Sequence, residues 1–109
     1  MKEKDALAML GALSQETRLH IVRYLVSKDA QGASAGDVGE KVGASSSRAS
    51  FHLSALENSG LITSERVSRQ IVYRADIQKI GNLMSFLLDD CCDGHPDIRK
   101  CCNGKSSCC

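Results

Sequence analysis

Apolar residues recur at helical spacing in five blocks of this chain, interrupted once by two short extended runs. Residues 5–13 (DALAMLGAL) predict a short apolar helix with Leu7, Met9 and Leu10 on or near one stripe. Ser14 is a good N-cap for the next segment, and residues 15–27 place Leu19, Ile21, Val22, Leu25 and Val26 at helical spacing. Lys28 to Gly36 is rich in Gly, Ala and Ser and reads as a loop. Asp37 to Val42 predicts a brief helix stopped by Gly43. Residues 45–58 (SSSRASFHLSALEN) predict the next helix, capped by Ser45 or Ser46, with Ala49, Leu53 and Leu56 on one face and Gly60 past its end. Leu61–Arg66 and Gln70–Arg74 then read as strands joined by a turn at Val67-Ser68-Arg69. Asp76 opens a last helix whose stripe holds Ile77, Ile80, Leu83, Met84, Leu87 and Leu88, and Gly94 and Pro96 are expected to stop any helix.

The order is helix, helix, short helix, helix, hairpin, helix. A short helix, a tight turn and a second helix make a helix-turn-helix, and a hairpin directly after it makes a wing. The predicted class is mainly α (α+β), a winged helix-turn-helix with a two-stranded wing. Residues 1–90 form the folded, DNA-binding and dimerising unit, and residues 91–109 form a tail.

Length and composition fit that picture. The chain has 109 residues, 42% of them apolar and 4% aromatic, with no Trp, so aliphatic side chains build a modest core. So small a domain gains stability by pairing with another chain. The net charge of +1 points to no partner, but Gly43 to Arg74 carries Arg48, Arg66, Arg69 and Arg74 against only Glu57 and Glu65. A locally basic face is compatible with nucleic acid. No run approaches the roughly 18 apolar residues of a membrane helix. Met1 to Asp5 is charged and lacks an apolar signal region, so a cytoplasmic location is expected, where thiols stay reduced.

The N-terminal residues of the second helix of such a motif enter the major groove. Here these are Ser45, Ser46, Ser47, Arg48 and Ser50, whose hydroxyls and helix-start amides suit phosphates or base edges. Arg48 suits a bidentate contact to guanine, His52 sits one turn further on, and Arg66, Arg69 and Gln70 lie at the wing tip. Each of these residues taken alone also reads as a cap or a solvated side chain; together they point to DNA.

All six cysteines lie at or beyond Cys91, in three adjacent pairs: Cys91-Cys92, Cys101-Cys102 and Cys108-Cys109. A disulfide framework would spread through the fold it staples; this one is appended to a fold that does not need it. Thiolates suit soft ions, and trivalent arsenic or antimony favours three sulfurs in a pyramid, whereas zinc favours four ligands. Helix neighbours diverge by about 100°, so Cys91 and Cys92 share an ion only where the helix ends, and Asp93-Gly94 supplies that end. Cys101 or Cys102 is the expected third sulfur, with Cys108 and Cys109 as accessory thiols. A thiol-rich tail with no defined site, mobile without ligand, is the plainer alternative. His95 is read as solvated rather than as a zinc or cadmium ligand. No Cys-x-x-Cys near a helix start, no phosphate-binding loop and no cysteine in the folded part argues for an enzyme.

LSQETRLHIVRYL and SSSRASFHLSALENSGLI resemble the helix and the recognition helix of the ArsR/SmtB family of metal- and metalloid-responsive repressors, and SERVSRQIVYRAD resembles the family wing. Ser47, Ser50, His52, Leu53, Leu56, Gly60 and Leu61 match the family pattern; Ser46 stands where Gln is usual and Ala49 where a branched residue is usual. The resemblance covers about residues 5–88. It implies a homodimer, paired through its first and last helices, on a pseudo-palindromic operator and released by effector. GDVGEKVG lacks the cysteines that common arsenic sensors carry there, and the last helix lacks the His of the zinc sensors. The layout resembles the subgroup with a C-terminal arsenite site. The implied function is an As(III)- or Sb(III)-responsive repressor; a thiol redox sensor or a Cd/Pb/Zn-responsive repressor of the same fold is the alternative.

Overall fold

The computed structural model describes residues 1–102. Helix α1 (Glu3–Leu13) buries Ala6, Met9 and Ala12, while Leu7 and Leu10 face outward. The inward stripe therefore runs through two alanines and a methionine, not through the leucines of the expected stripe. Small residues let α1 lie close against the rest of the core. Ser14 ends α1 instead of starting the next helix, its hydroxyl donating to the Gly11 carbonyl at 2.8 Å. The N-cap of α2 (Glu16–Lys28) is Gln15, whose side-chain oxygen accepts from the Arg18 amide at 2.8 Å. An acceptor satisfies an orphan amide whichever residue type carries it. Helix α2 buries Ile21, Val22 and Leu25.

The segment from Lys28 to Gly36, expected as a loop, holds a 3₁₀ turn (Asp29–Gln31) and a two-residue strand, β1 (Ala33–Ser34). Ser34 then caps α3 (Ala35–Val42), accepting from the Asp37 amide. Gly43 ends α3 with φ +72°, and α4 (Ser46–Ser59) begins after Ser45, whose hydroxyl accepts from the Arg48 amide at 3.3 Å. Gly39, inside α3, lets the turn and α4 pack closely against that helix. A Cβ there would lie 2.8 Å from the Ala44 carbonyl oxygen and 3.4 Å from the Ala49 side chain.

The hairpin forms where expected, but its turn is shorter than Val67-Ser68-Arg69 because Val67 pairs within the ladder. Strands β2 (Ile62–Val67) and β3 (Gln70–Ala75) pair antiparallel, with Val67 opposite Gln70. Ser68 opens the two-residue turn at φ +59°, the sign a type II′ hairpin turn requires at that position. Strand β1 adds to the other edge of β3, Ala33 opposite Tyr73, giving the order β1-β3-β2. The core is aliphatic, with Ile21, Leu25, Val38, Leu53, Leu56, Leu61, Ile62 and Leu83 fully enclosed.

Helix α5 (Ile77–Ser85) is capped by Asp76, which accepts from the Lys79 amide, and it buries Leu83. The path continues as a π-helical segment (Phe86–Cys91), then turns at Asp93 and Gly94, both with positive φ. A further helix, α6 (Pro96–Cys102), follows. Pro96 thus starts a helix where it was expected to prevent one. At the first helical position proline loses no hydrogen bond and its φ is already helical. His95 precedes it, its Nδ1 accepting from the Asp97 amide at 3.2 Å. Residues 96–102 are therefore helical, and Arg99 of α6 reaches back to Asp89 at 2.9 Å. No helix among the described residues is long and apolar enough to cross a membrane.

Candidate nucleic-acid interface and cysteine cluster

Helix α4 is two-faced. Ala49, His52, Leu53 and Leu56 are buried, and Ser46, Ser47, Arg48 and Ser50 are all exposed. The four exposed residues stand together over the first turn, beside the helix-start amides, where an anion is favoured. Arg66, Arg69 and Gln70 are exposed at the wing tip. Arg74, also in the basic stretch, is committed elsewhere. Its guanidinium donates to the Ala30 carbonyl at 2.6 Å and pairs with Glu65 at 2.7 Å, tying β3 to the 3₁₀ turn.

His52 departs from the expected position. It is 7% exposed, and its Nδ1 accepts from Nε of Arg18 at 3.1 Å. Its place is under α4, not among the exposed serines, because its position on the helix wheel coincides with the core stripe. Burial, then the charges of Arg18 and Arg48, hold the imidazole below its ordinary value, so it is neutral with its proton on Nε2. His52 locks α2 to α4 and thereby positions the recognition helix.

Two residues of this face escaped the sequence reading. Arg18 lies 34 positions from His52, a pairing that only packing creates. Phe51 is 65% exposed, with the Arg18 guanidinium 5.8 Å from its ring centroid and the His52 ring 5.6 Å away, edge-on at 65°. The wheel of α4 carries a signal for Phe51, since it falls opposite Leu53. Ser47, Arg48, Phe51 and His52 line a shallow depression of about 300 Å³.

At the other end, Cys91, Cys92 and Cys102 are free thiols; Cys91 and Cys102 are exposed and Cys92 half-buried. Partial burial pushes the Cys92 thiol up; a hydrogen bond with Cys91 and the proximity of the Cys91 and Cys102 sulfurs add to the effect. The return of α6 therefore brings Cys102 into the neighbourhood of the vicinal pair. Cys101 is disulfide-bonded, so of the two expected third sulfurs only Cys102 is a free thiol. Among the described residues no three His, Cys, Asp or Glu side chains already stand in the geometry of a metal site. Cys108 and Cys109 lie outside the described residues. His95 is exposed.

A helix-turn-helix domain family model matches residues 13–65. The chain is 32% identical over 89 residues to the HTH-type transcriptional regulator YgaV of Escherichia coli (strain K12), covering 82% of this chain and 88% of that protein. Among solved structures, an ArsR-like transcriptional regulator from Rhodococcus sp. RHA1 superposes with a TM-score of 0.73 at 25% identity, covering 95% of each chain. A possible transcriptional regulator for arsenical resistance superposes with a TM-score of 0.63 at 29% identity, over 75% of this chain and 86% of that one. Proteins of this kind are DNA-binding regulators, not enzymes. With its wing, its capped recognition helix and these relatives, the chain belongs to the ArsR family of winged-helix transcriptional regulators.

Proposed function

We propose that the chain is a cytoplasmic homodimeric repressor that binds operator DNA and releases it when its C-terminal cysteines capture trivalent arsenic or antimony. The observation that carries this reading is the neighbourhood of three free thiols, Cys91, Cys92 and Cys102, at the end of the helical path that continues α5. Three sulfurs match the ligand number of a pyramidal metalloid ion, and thiolate is the donor such ions prefer. The arsenical-resistance regulator among the similar structures agrees with that ion.

The dimer follows from surface chemistry. Leu7 is 61% exposed on α1, and Ile77 and Met84 are half exposed on α5. The two helices are neighbours, since Asp5 and Met9 of α1 line one surface depression together with Lys79 and Asn82 of α5. A second copy of the chain covers these apolar groups and sets the two recognition helices about one DNA turn apart. Ion capture requires the three thiols to close on one another. The closure draws α6 against the π-helical segment and restrains α5 at the dimer interface, which shifts the spacing of the recognition helices. Ser46, Ser47, Arg48 and Ser50 are the groove-facing contacts in this reading, and Arg66, Arg69 and Gln70 the wing contacts.

A second reading has an observation of its own. The disulfide at Cys101 favours a thiol redox sensor of the same fold, in which oxidation takes the place of ion capture.

Fluorescence anisotropy on duplex from the chain's own promoter region, under reducing conditions, tests both. Arsenite or antimonite is expected to release the DNA, and zinc or cadmium to leave it bound. A Cys91→Ser, Cys92→Ser double variant is expected to bind DNA and ignore arsenite. Arsenite release that survives in that variant would refute the assignment. After removal of the reductant, release by diamide in a protein that ignores both metalloids would favour the redox reading.

A further inference from the structure

The buried stripe of α4 runs through Ala49, His52, Leu53 and Leu56. Successive residues on a helix are about 100° apart, so the direction opposite that stripe is held by Ser47, Phe51, Ser54 and Asn58. All four are exposed. Three are small and polar. The fourth is a phenyl ring with 65% of its surface in water, the highest exposure of any large apolar side chain among the described residues. It is also held in place. The Arg18 guanidinium stands 5.8 Å from its ring centroid, and Arg18 is itself fixed by its bond to His52. The His52 ring meets Phe51 in an edge-to-face contact. An aromatic ring with two such neighbours and most of its surface in water offers a partner an apolar contact at a smaller loss of rotamer freedom than an unsupported ring would.

We infer that Phe51 reads sequence by packing its ring tip on the 5-methyl group of a thymine in the major groove. The chemistry selects that partner. A phenyl ring has no N–H, O–H or carbonyl to pair with the hydrogen-bonding groups of guanine, cytosine and adenine, and cytosine offers only a small C5–H beside its amino group. Thymine alone presents a methyl group there. The serines and Arg48 around the ring supply the polar contacts that hold the helix in register. The inference rests on α4 lying in the major groove, the reading proposed above.

Uracil is thymine without that methyl, so it removes the contact and leaves base pairing intact. Duplexes retained by the wild-type protein from a random-sequence pool define its site, and each thymine in a half-site is then replaced by uracil. Losing one buried methyl, about 0.8 kcal/mol, corresponds to a loss of about fourfold in affinity. The expected result is such a loss at one thymine per half-site for the wild-type protein. The Phe51→Ala variant is expected to bind the thymine duplex more weakly and to lose nothing further at that uracil. Phe51→Leu, which keeps an apolar tip, is expected to retain part of the discrimination. Wild-type binding indifferent to every uracil, or a Phe51→Ala variant that loses as much as wild type, overturns the inference while leaving DNA binding intact. Failure of the wild-type protein to retain any duplex would remove the DNA-binding reading, and this inference with it.

Discussion

Nε of Arg18, in the second helix, donates to Nδ1 of the buried His52 beneath the recognition helix at 3.1 Å. The bond works only while Nδ1 carries no proton. Burial and the flanking arginines keep the imidazole below its ordinary value of 6.5. The folded chain therefore binds this proton less readily than the unfolded chain does. The resulting stability is full above about pH 6.5 and falls as the pH drops from there through the lowered folded-state value, by at most about 1.4 kcal/mol per pH unit. His52→Gln keeps an acceptor for Arg18 and removes the titration. Urea unfolding from pH 7.5 to pH 5 is expected to show a steeper acid loss for wild type than for His52→Gln. Parallel curves would mean that His52 is not the group responsible.

Removing the donor has a different signature. Arg18→Ala leaves the buried Nδ1 without a partner, at a cost of about 1–3 kcal/mol. The same variant frees Phe51 on one side. Chemical denaturation is expected to show the loss at neutral pH, where His52→Gln shows little. An unchanged midpoint for Arg18→Ala would show that water replaces the guanidinium without penalty.

Gly32 and Gly43 separate two kinds of glycine requirement. Both have positive φ, +67° and +72°. A Cβ on Gly43 would meet nothing within 4 Å, so Gly43→Ala carries only the left-handed penalty of about 1–2 kcal/mol. A Cβ on Gly32 would sit 2.6 Å from the Tyr73 carbonyl oxygen and 2.7 Å from Val72 Cγ1. Gly32→Ala must also push β1 off β3 and is expected to be the more damaging change by at least about 1 kcal/mol. Thermal midpoints that rank the two variants the other way would contradict this.

In the proposed function the exposed arginines of α4 and the wing face DNA, whereas Arg74 holds the fold. Arg48→Ala and Arg69→Ala are each expected to weaken operator binding and to reduce the slope of log affinity against log salt by about one, with stability unchanged. Arg74→Ala is expected to leave that slope alone and to cost about 1 kcal/mol of stability, through its bond to the Ala30 carbonyl. Its pair with the exposed Glu65 adds little. A salt slope that responds to Arg74 and not to Arg69 would reverse the division.

Leu7→Glu places a charge on the outward face of α1 without disturbing the protomer core, because Leu7 already faces solvent there. Light scattering after size exclusion is expected to show a folded monomer in place of a dimer. A variant that stays dimeric would move the interface away from α1.

The main helices, the helix-turn-helix and the hairpin wing were legible in the sequence because each rests on local rules. Apolar spacing sets which face of α4 turns inward, Ser45 and Gly60 mark its ends, and two strand-like runs on either side of Ser68 mark the wing. The three cysteine pairs beyond residue 90 were visible in composition alone. Strand β1 was not legible, since two residues carry no period and pair only because β3 offers a free edge. Helix α6 was hidden by a proline that ends one helix as readily as it begins another.

The sequence by itself determined the order of elements, the exposed serine and arginine face of α4, and the clustering of thiols beyond residue 90. Only tertiary structure decided that Arg18 pairs with His52 and Arg74 with Glu65, that Arg18 stands beside the exposed Phe51, and that Cys102 returns toward Cys91 and Cys92. The reason is one of range. Periodicity and capping act within a few residues, whereas the partner of a side chain 34 positions away is chosen by how the helices pack.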